Sequence, residues 1–183
     1  MKMTDEIHIE ASREQVFAAL NDPEILRKAI PGCQELDQTS ETELTATVQA
    51  KVGPVKATFR GAVTLSDINP PESYIISGEG KGGAAGFAKG KAKVSLAEDG
   101  AATILKYEVD AEVGGKLAQV GGRLIEGTSK KLAGDFFETF SALVGSTKVA
   151  VEKPAATPTT SEPVLLWVEA AIVAIILIVS FAA

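Results

Sequence analysis

Between residues 44 and 113 the chain alternates apolar and polar positions with a period of two. Leu44, Ala46, Val48, Ala50 and Val52 are separated by polar or charged residues. Val55, Ala57, Phe59, Gly61, Val63 and Leu65 follow, with Lys56, Thr58, Arg60 and Thr64 among the residues between them. Further runs cover residues 74–81, 86–96 and 103–113, divided by Asn69-Pro70-Pro71 and Asp99-Gly100, which are turn formers. Each run predicts a half-buried antiparallel strand, one face inward and one wet. Upstream, a short strand over residues 5–10 leads to Ser12, which with Gln15 forms a capping box for a helix carrying Val16, Phe17 and Leu20. A second short helix, residues 23–29, ends before Pro31, because proline disfavours helix at the residue it follows.

After the strands the period changes. Leu117, Val120, Leu124, Leu132, Phe136, Phe140 and Leu143 recur at three- and four-residue steps, predicting one helix of about 28 residues over 116–143 with a single apolar face. A strand, two short helices, a run of antiparallel strands and one long helix make an α+β fold. A curved sheet wrapped around that helix is the simplest way to bury both apolar faces.

The inward positions of the strands are unusually small: Ala46, Ala50, Ala57, Gly61, Gly78, Gly80, Gly86, Ala88, Gly90 and Ala92. Gly121, Gly127 and Gly134 are expected to face them from the helix, although each glycine costs a helix about 1 kcal/mol relative to alanine. Small residues on facing surfaces either let the backbones approach closely or leave an apolar gap, and both arrangements fit the sequence. A gap would suit an apolar ligand.

Composition narrows the chemistry. A formal net charge of −6 and a pI near 4.9 exclude nucleic acid as the main partner, because phosphate binding needs a basic surface. One cysteine, Cys33, and one histidine, His8, leave no disulfide, no Cys-rich metal cluster and almost nothing for histidine catalysis. Gly78-Glu79-Gly80-Lys81-Gly82-Gly83 satisfies G-x-G-x-x-G, but strand rather than helix follows it, so the nucleotide reading fails. Lys89, Lys91 and Lys93 on one strand should meet Glu108, Asp110 and Glu112 on the next as outward ion pairs, with Phe87 outward among glycines as a contact or rim residue. The strand carboxylates are expected to point outward, which leaves no acid–base pair inside. No enzyme activity is expected.

The chain divides into a domain over 1–148, a linker over 149–163 with Pro154, Pro158 and Pro163, and an apolar tail over 164–183. The first residues hold no apolar run of the secretory kind, so the domain is expected on the cytoplasmic side. As a helix the tail would reach about 30 Å, the thickness of a bilayer's hydrocarbon. Trp167 would sit at the interface, Ile172, Ile175, Ile176, Ile178 and Phe181 would face lipid, and Glu169 must stay near the headgroups.

Several motifs then occur in order. They are Asp22-Pro23-Glu24-Ile25-Leu26, Ile30-Pro31-Gly32-Cys33 and the run from Val52-Gly53-Pro54-Val55 to Phe59-Arg60-Gly61. Gly78-Glu79-Gly80-Lys81, Ala85-Gly86-Phe87-Ala88 and the run from Gly114-Gly115-Lys116-Leu117 to Gly121-Gly122-Arg123 follow. Together, over residues 3–145, they resemble the CoxG family of carbon monoxide dehydrogenase subunits, part of the START-like (SRPBCC) superfamily with the helix-grip fold. The resemblance implies an accessory protein of aerobic, molybdenum-containing CO dehydrogenase or a related molybdenum hydroxylase, attaching that enzyme to the membrane. With an apolar cavity, the expected ligand is an isoprenoid quinone, menaquinone or ubiquinone, lined by Phe59, Val63, Leu117, Val120, Leu124, Phe136 and Phe140. A pure adaptor without ligand and a START-like enzyme are the alternatives.

Overall fold

The computed structural model describes residues 2–146; the linker and the apolar tail lie outside them. Seven strands form one antiparallel sheet: β1 (Lys2–Ile9), β2 (Cys33–Ser40), β3 (Glu43–Val52), β4 (Val55–Asn69), β5 (Ser73–Lys81), β6 (Phe87–Asp99) and β7 (Ala102–Gly114). Their spatial order is β1-β7-β6-β5-β4-β3-β2, so β1 and β2, next to each other among the strands in sequence, stand at opposite edges. Two short helices, α1 (Arg13–Ala19) and α2 (Pro23–Ala29), bridge those edges. The chain closes with α3 (Lys116–Val120) and α4 (Gly122–Ser146), and α4 lies in the concavity, packed chiefly on α2.

Local chemistry sets the helix ends. Ser12 Oγ accepts from Gln15 N at 3.3 Å, and Gln15 Oε1 accepts from Ser12 N at 3.2 Å, the reciprocal capping box expected from the sequence. Asp22 caps α2 by accepting from Glu24 N at 2.8 Å, with Pro23 in the first turn where a missing N–H costs nothing. The buried hydroxyl of Thr103 donates to the Ala11 carbonyl at 2.7 Å, and Arg13 pairs with Glu98 at 2.8 Å. Those two contacts fix α1 to the end of the sheet.

Three features differ from the sequence reading. β2 is a full strand, but only Leu36 in it is buried, so it carries no alternation to reveal it. β1 begins at Lys2 rather than at residue 5. The single long helix is two, because Gly121 at φ +99° turns the chain between α3 and α4. This turn resets the helical phase. The buried face of α4 is Ile125, Ser129, Ala133, Phe136, Phe137, Phe140 and Val144, while Gly127 and Gly134 point to solvent instead of facing the sheet.

Glycine is required where backbones touch. Gly86 has φ +118°, and a methyl group there would stand 3.0 Å from the Cα of Gly115 and against the Gly114 carbonyl. Gly86→Ala should therefore lose about 2 kcal/mol or more of stability. Gly127→Ala, exposed in α4 with no atom near the added carbon, should gain about 0.5–1 kcal/mol. Urea unfolding midpoints of the two variants should move in opposite directions.

Candidate functional site

The strand register gathers the small residues into rows across the concave face. Ala46, Gly61, Gly80 and Ala88 are successive cross-strand partners on β3 to β6, and Gly78, Gly90 and Ala111 continue the adjacent row on β5 to β7. Close packing and an apolar gap are told apart at one point of this patch. A methyl group on Gly61 would meet only Glu79 O at 3.4 Å and the Gly80 Cα at 3.7 Å, both on the neighbouring strand. No atom of α4 comes within 4 Å of it. The helix does not fill the concavity there, as a protein core normally demands.

Five of the seven residues expected to line a ligand site are buried in this interior. Phe59 and Val63 flank Gly61 on β4, Leu117 is the buried residue of α3, and Phe136 and Phe140 stack at 5.5 Å on α4. The Phe59 ring lies where a side chain on Gly82 would stand, which explains why its neighbour there is glycine. Val120 and Leu124 lie elsewhere. They reach the β3–β4 turn, where their side chains are the nearest atoms to the position a Gly53 side chain would take. Val120 is half-buried, and Leu124 is 44% exposed, so these two sit at the mouth rather than inside. Trp167, Ile172, Ile175, Ile176, Ile178 and Phe181 lie outside the described residues. Among the described residues no helix is long and apolar enough to cross a membrane.

The sequence reading missed the far end of the concavity, which is aromatic. Tyr107 stacks on Phe137 at 5.7 Å, Phe137 meets Phe136 edge-on at 4.9 Å, and Tyr74 meets Phe17 of α1 edge-on at 6.0 Å. Alternation alone puts both tyrosines inward, Tyr74 in step with Ile76 and Gly78, and Tyr107 in step with Val109. Tyr74 is 1% exposed, and its hydroxyl has no hydrogen-bond partner among the described residues. An unpaired buried hydroxyl costs about 1–3 kcal/mol. Burial pushes the Tyr74 phenol far above its usual range, so it stays protonated. Tyr107 is pushed up to about 12, first by burial and then by the Asp5 carboxylate.

Ionised groups keep to the outside and the rim. Lys89 pairs with Glu112 at 3.2 Å on the convex face, where Lys91 stands opposite Asp110 and Lys93 opposite Glu108. Phe87 is also on that face, its ring over Gly114. The depressions of the convex face are lined by polar side chains such as Glu35, Arg60, Glu79 and Lys81. Asp5 departs from the expected outward pattern: it shares the concave face with Met3 and Tyr107, but on the edge strand and exposed. His8 lies between Glu10 and Asp99, 3.2 Å from each, on the surface. Burial raises the Cys33 thiol above its usual range, with Arg27 opposing, and its Sγ donates to Glu35 O at 3.5 Å; such a thiol is a poor nucleophile. The glycine motif at Gly78 runs from β5 through a three-residue 3₁₀ turn, Gly83–Ala85, into β6, without the helix that phosphate binding needs. Among the described residues no three His, Cys, Asp or Glu side chains are placed to hold a metal ion.

Comparison with known proteins agrees with this architecture. A conserved protein from Geobacillus kaustophilus is 32% identical and superposes with a TM-score of 0.76, covering 80% of this chain and 97% of that one. A START superfamily protein from Mycobacterium smegmatis, 20% identical, gives 0.55 over 80% and 97% of the two chains. The ZhuI aromatase/cyclase from a Streptomyces species, 10% identical, gives 0.59 over 83% and 98%, a likeness of fold alone. The curated proteins include no match to this sequence. The fold is the START-like helix grip, and the family model for CoxG, a carbon monoxide dehydrogenase subunit, matches residues 6–145. On that match, supported by the ordered motifs from Asp22 to Arg123, the chain belongs to the CoxG family.

Proposed function

We propose that this protein is a non-catalytic accessory of a CO dehydrogenase or related molybdenum hydroxylase, and that its grip carries an apolar ligand, an isoprenoid quinone. The observation that carries the reading is the concave face at Gly61, where an added methyl group would meet no atom of α4 within 4 Å, with the buried Phe59 and Val63 on either side of it in β4. A site of that kind binds by hydrophobic burial and shape, with few polar groups to orient the ligand. Family membership supports that choice of partner. The ionised side chains stand on the convex face and the rim, which supports binding over acid–base chemistry. On this reading the apolar segment over 164–183 holds the domain at the cytoplasmic face of the membrane, and the proline-containing linker sets its reach. Tethering would keep the domain at high effective concentration near both the lipid and the docked dehydrogenase.

Two outcomes test it. The full chain purified from its own membranes should yield, on solvent extraction, about one menaquinone or ubiquinone per protein by mass spectrometry. Gly61→Leu, which places a side chain in the gap, should lower that yield at least tenfold while changing the melting temperature by only a few degrees. A ligand-free wild-type chain that also rejects added quinone would leave a membrane adaptor as the function. Separately, removal of residues 164–183 should move the protein from the membrane to the soluble fraction on centrifugation. Retention in the membrane fraction would remove the anchor from the proposal.

A further inference from the structure

The concave face offers one buried side-chain hydroxyl with no partner among the described residues, that of Tyr74. Arg13 Nε is the other buried unpaired atom, but its guanidinium is already engaged by Glu98 and Glu72 at the surface end of α1. Tyr74 is different. It projects from β5 on the same face as Gly78 and Gly80, one inward position beyond Ile76, whose row separates it from the rows of small residues. Its nearest row partners are Val94 and, across it, Tyr107, both buried. Thr103 and Ser129, also buried, donate to the carbonyls of Ala11 and Ile125. Proteins rarely leave a buried hydroxyl unpaired, and each such group asks for an explanation.

We infer that the Tyr74 hydroxyl is the polar anchor of the interior site, donating a hydrogen bond to a ring carbonyl of a largely hydrocarbon ligand. The inference rests on the carrier reading above and adds to it the donor, the ligand atom it meets and the direction in which the ligand lies. A carbonyl oxygen accepts only, and a protonated phenol beside it supplies the donor that the apolar side chains lack. Phe17, Tyr107, Phe136 and Phe137 make that end aromatic, which suits a flat ring. The ring then sits deep, and its hydrocarbon chain runs along the small-residue rows toward Leu117.

The test compares the full-length wild type with Tyr74→Phe, a change that removes one oxygen and no volume of wall. Both are titrated calorimetrically with a short-chain menaquinone and with squalene, a prenyl hydrocarbon that has no oxygen. Tyr74→Phe should weaken menaquinone about five- to tenfold and leave squalene within twofold. Unliganded Tyr74→Phe should melt at or above the wild type, because the hydroxyl it removes has no partner to lose. The carbonyl stretch of bound menaquinone should lie at lower frequency in the wild type than in the variant. Equal menaquinone affinity in the two proteins would overturn the anchor and leave the carrier reading standing. Lower melting with equal loss of both ligands would show a structural hydroxyl and overturn it as well. Failure of the wild type to bind either ligand would overturn the carrier reading and the anchor together.

Discussion

Everything in this domain follows from asking one sheet to bury a single concave face around a single helix. A seven-stranded sheet with its two edges bridged by α1 and α2 must bend, and α4 must lie inside the bend. Phe136, Phe137, Phe140 and Val144 are the buried residues of its second half. At Gly61, in the middle of β4, no atom of α4 comes within 4 Å of where a side chain would begin. Bulky residues there could fill the space, and this chain places alanine and glycine instead. The gap above Gly61 is thus written into residue size as well as into topology.

The same constraint sorts the chemistry. A sheet with one dry and one wet face puts each ionised side chain on the convex side or at the rim, where water solvates it at little cost. Lys89 and Glu112 pair there, Asp5 is exposed on the edge strand β1, and Glu98 is exposed at the end of β6. The interior receives what alternation sends inward: aliphatics, phenylalanines and two tyrosines. Binding by shape is what such an interior would do well.

The fold was legible because its strands are half-buried. β3 to β7 follow from the alternation, and Ser12 with Gln15 and Asp22 with Pro23 mark the helix starts. β2 was not, since an edge strand with one buried residue has no period to read. The helix was legible in length but not in phase. Counting through Gly121 at a uniform helical step turned Gly127 and Gly134 inward and put Leu124 inside, whereas a positive φ restarts the helix and exposes all three. Phe137 was overlooked for the same reason. Tyr74 and Tyr107 stood at inward positions in plain alternation, yet a search for apolar lining passes over a residue that is apolar except at its tip. Trp167 and the tail isoleucines have sequence expectations only.

The two ends of the concavity differ, and the difference gives the site a direction. At one end lie the aromatic rings and the Tyr74 hydroxyl, closed over by α1 and α4. At the other lie Val120, the exposed Leu124 and the β3–β4 turn, with Gly115 and Gly121 on either side of the five-residue α3. Both of those glycines have positive φ, so α3 is set between two turns that only its own short length connects. A ligand with a polar ring and a long aliphatic chain matches this polarity when the ring enters first. The ring carbonyls would then be shielded from water, and the aliphatic chain would lie nearest the mouth. In that pose the chain need not leave the apolar surroundings of a membrane before the ring does, because the mouth itself presents leucine and valine. On the proposed reading, Val120 and Leu124 at one end and Tyr74 at the other are separate, and substitutions at the two ends should affect entry and affinity independently.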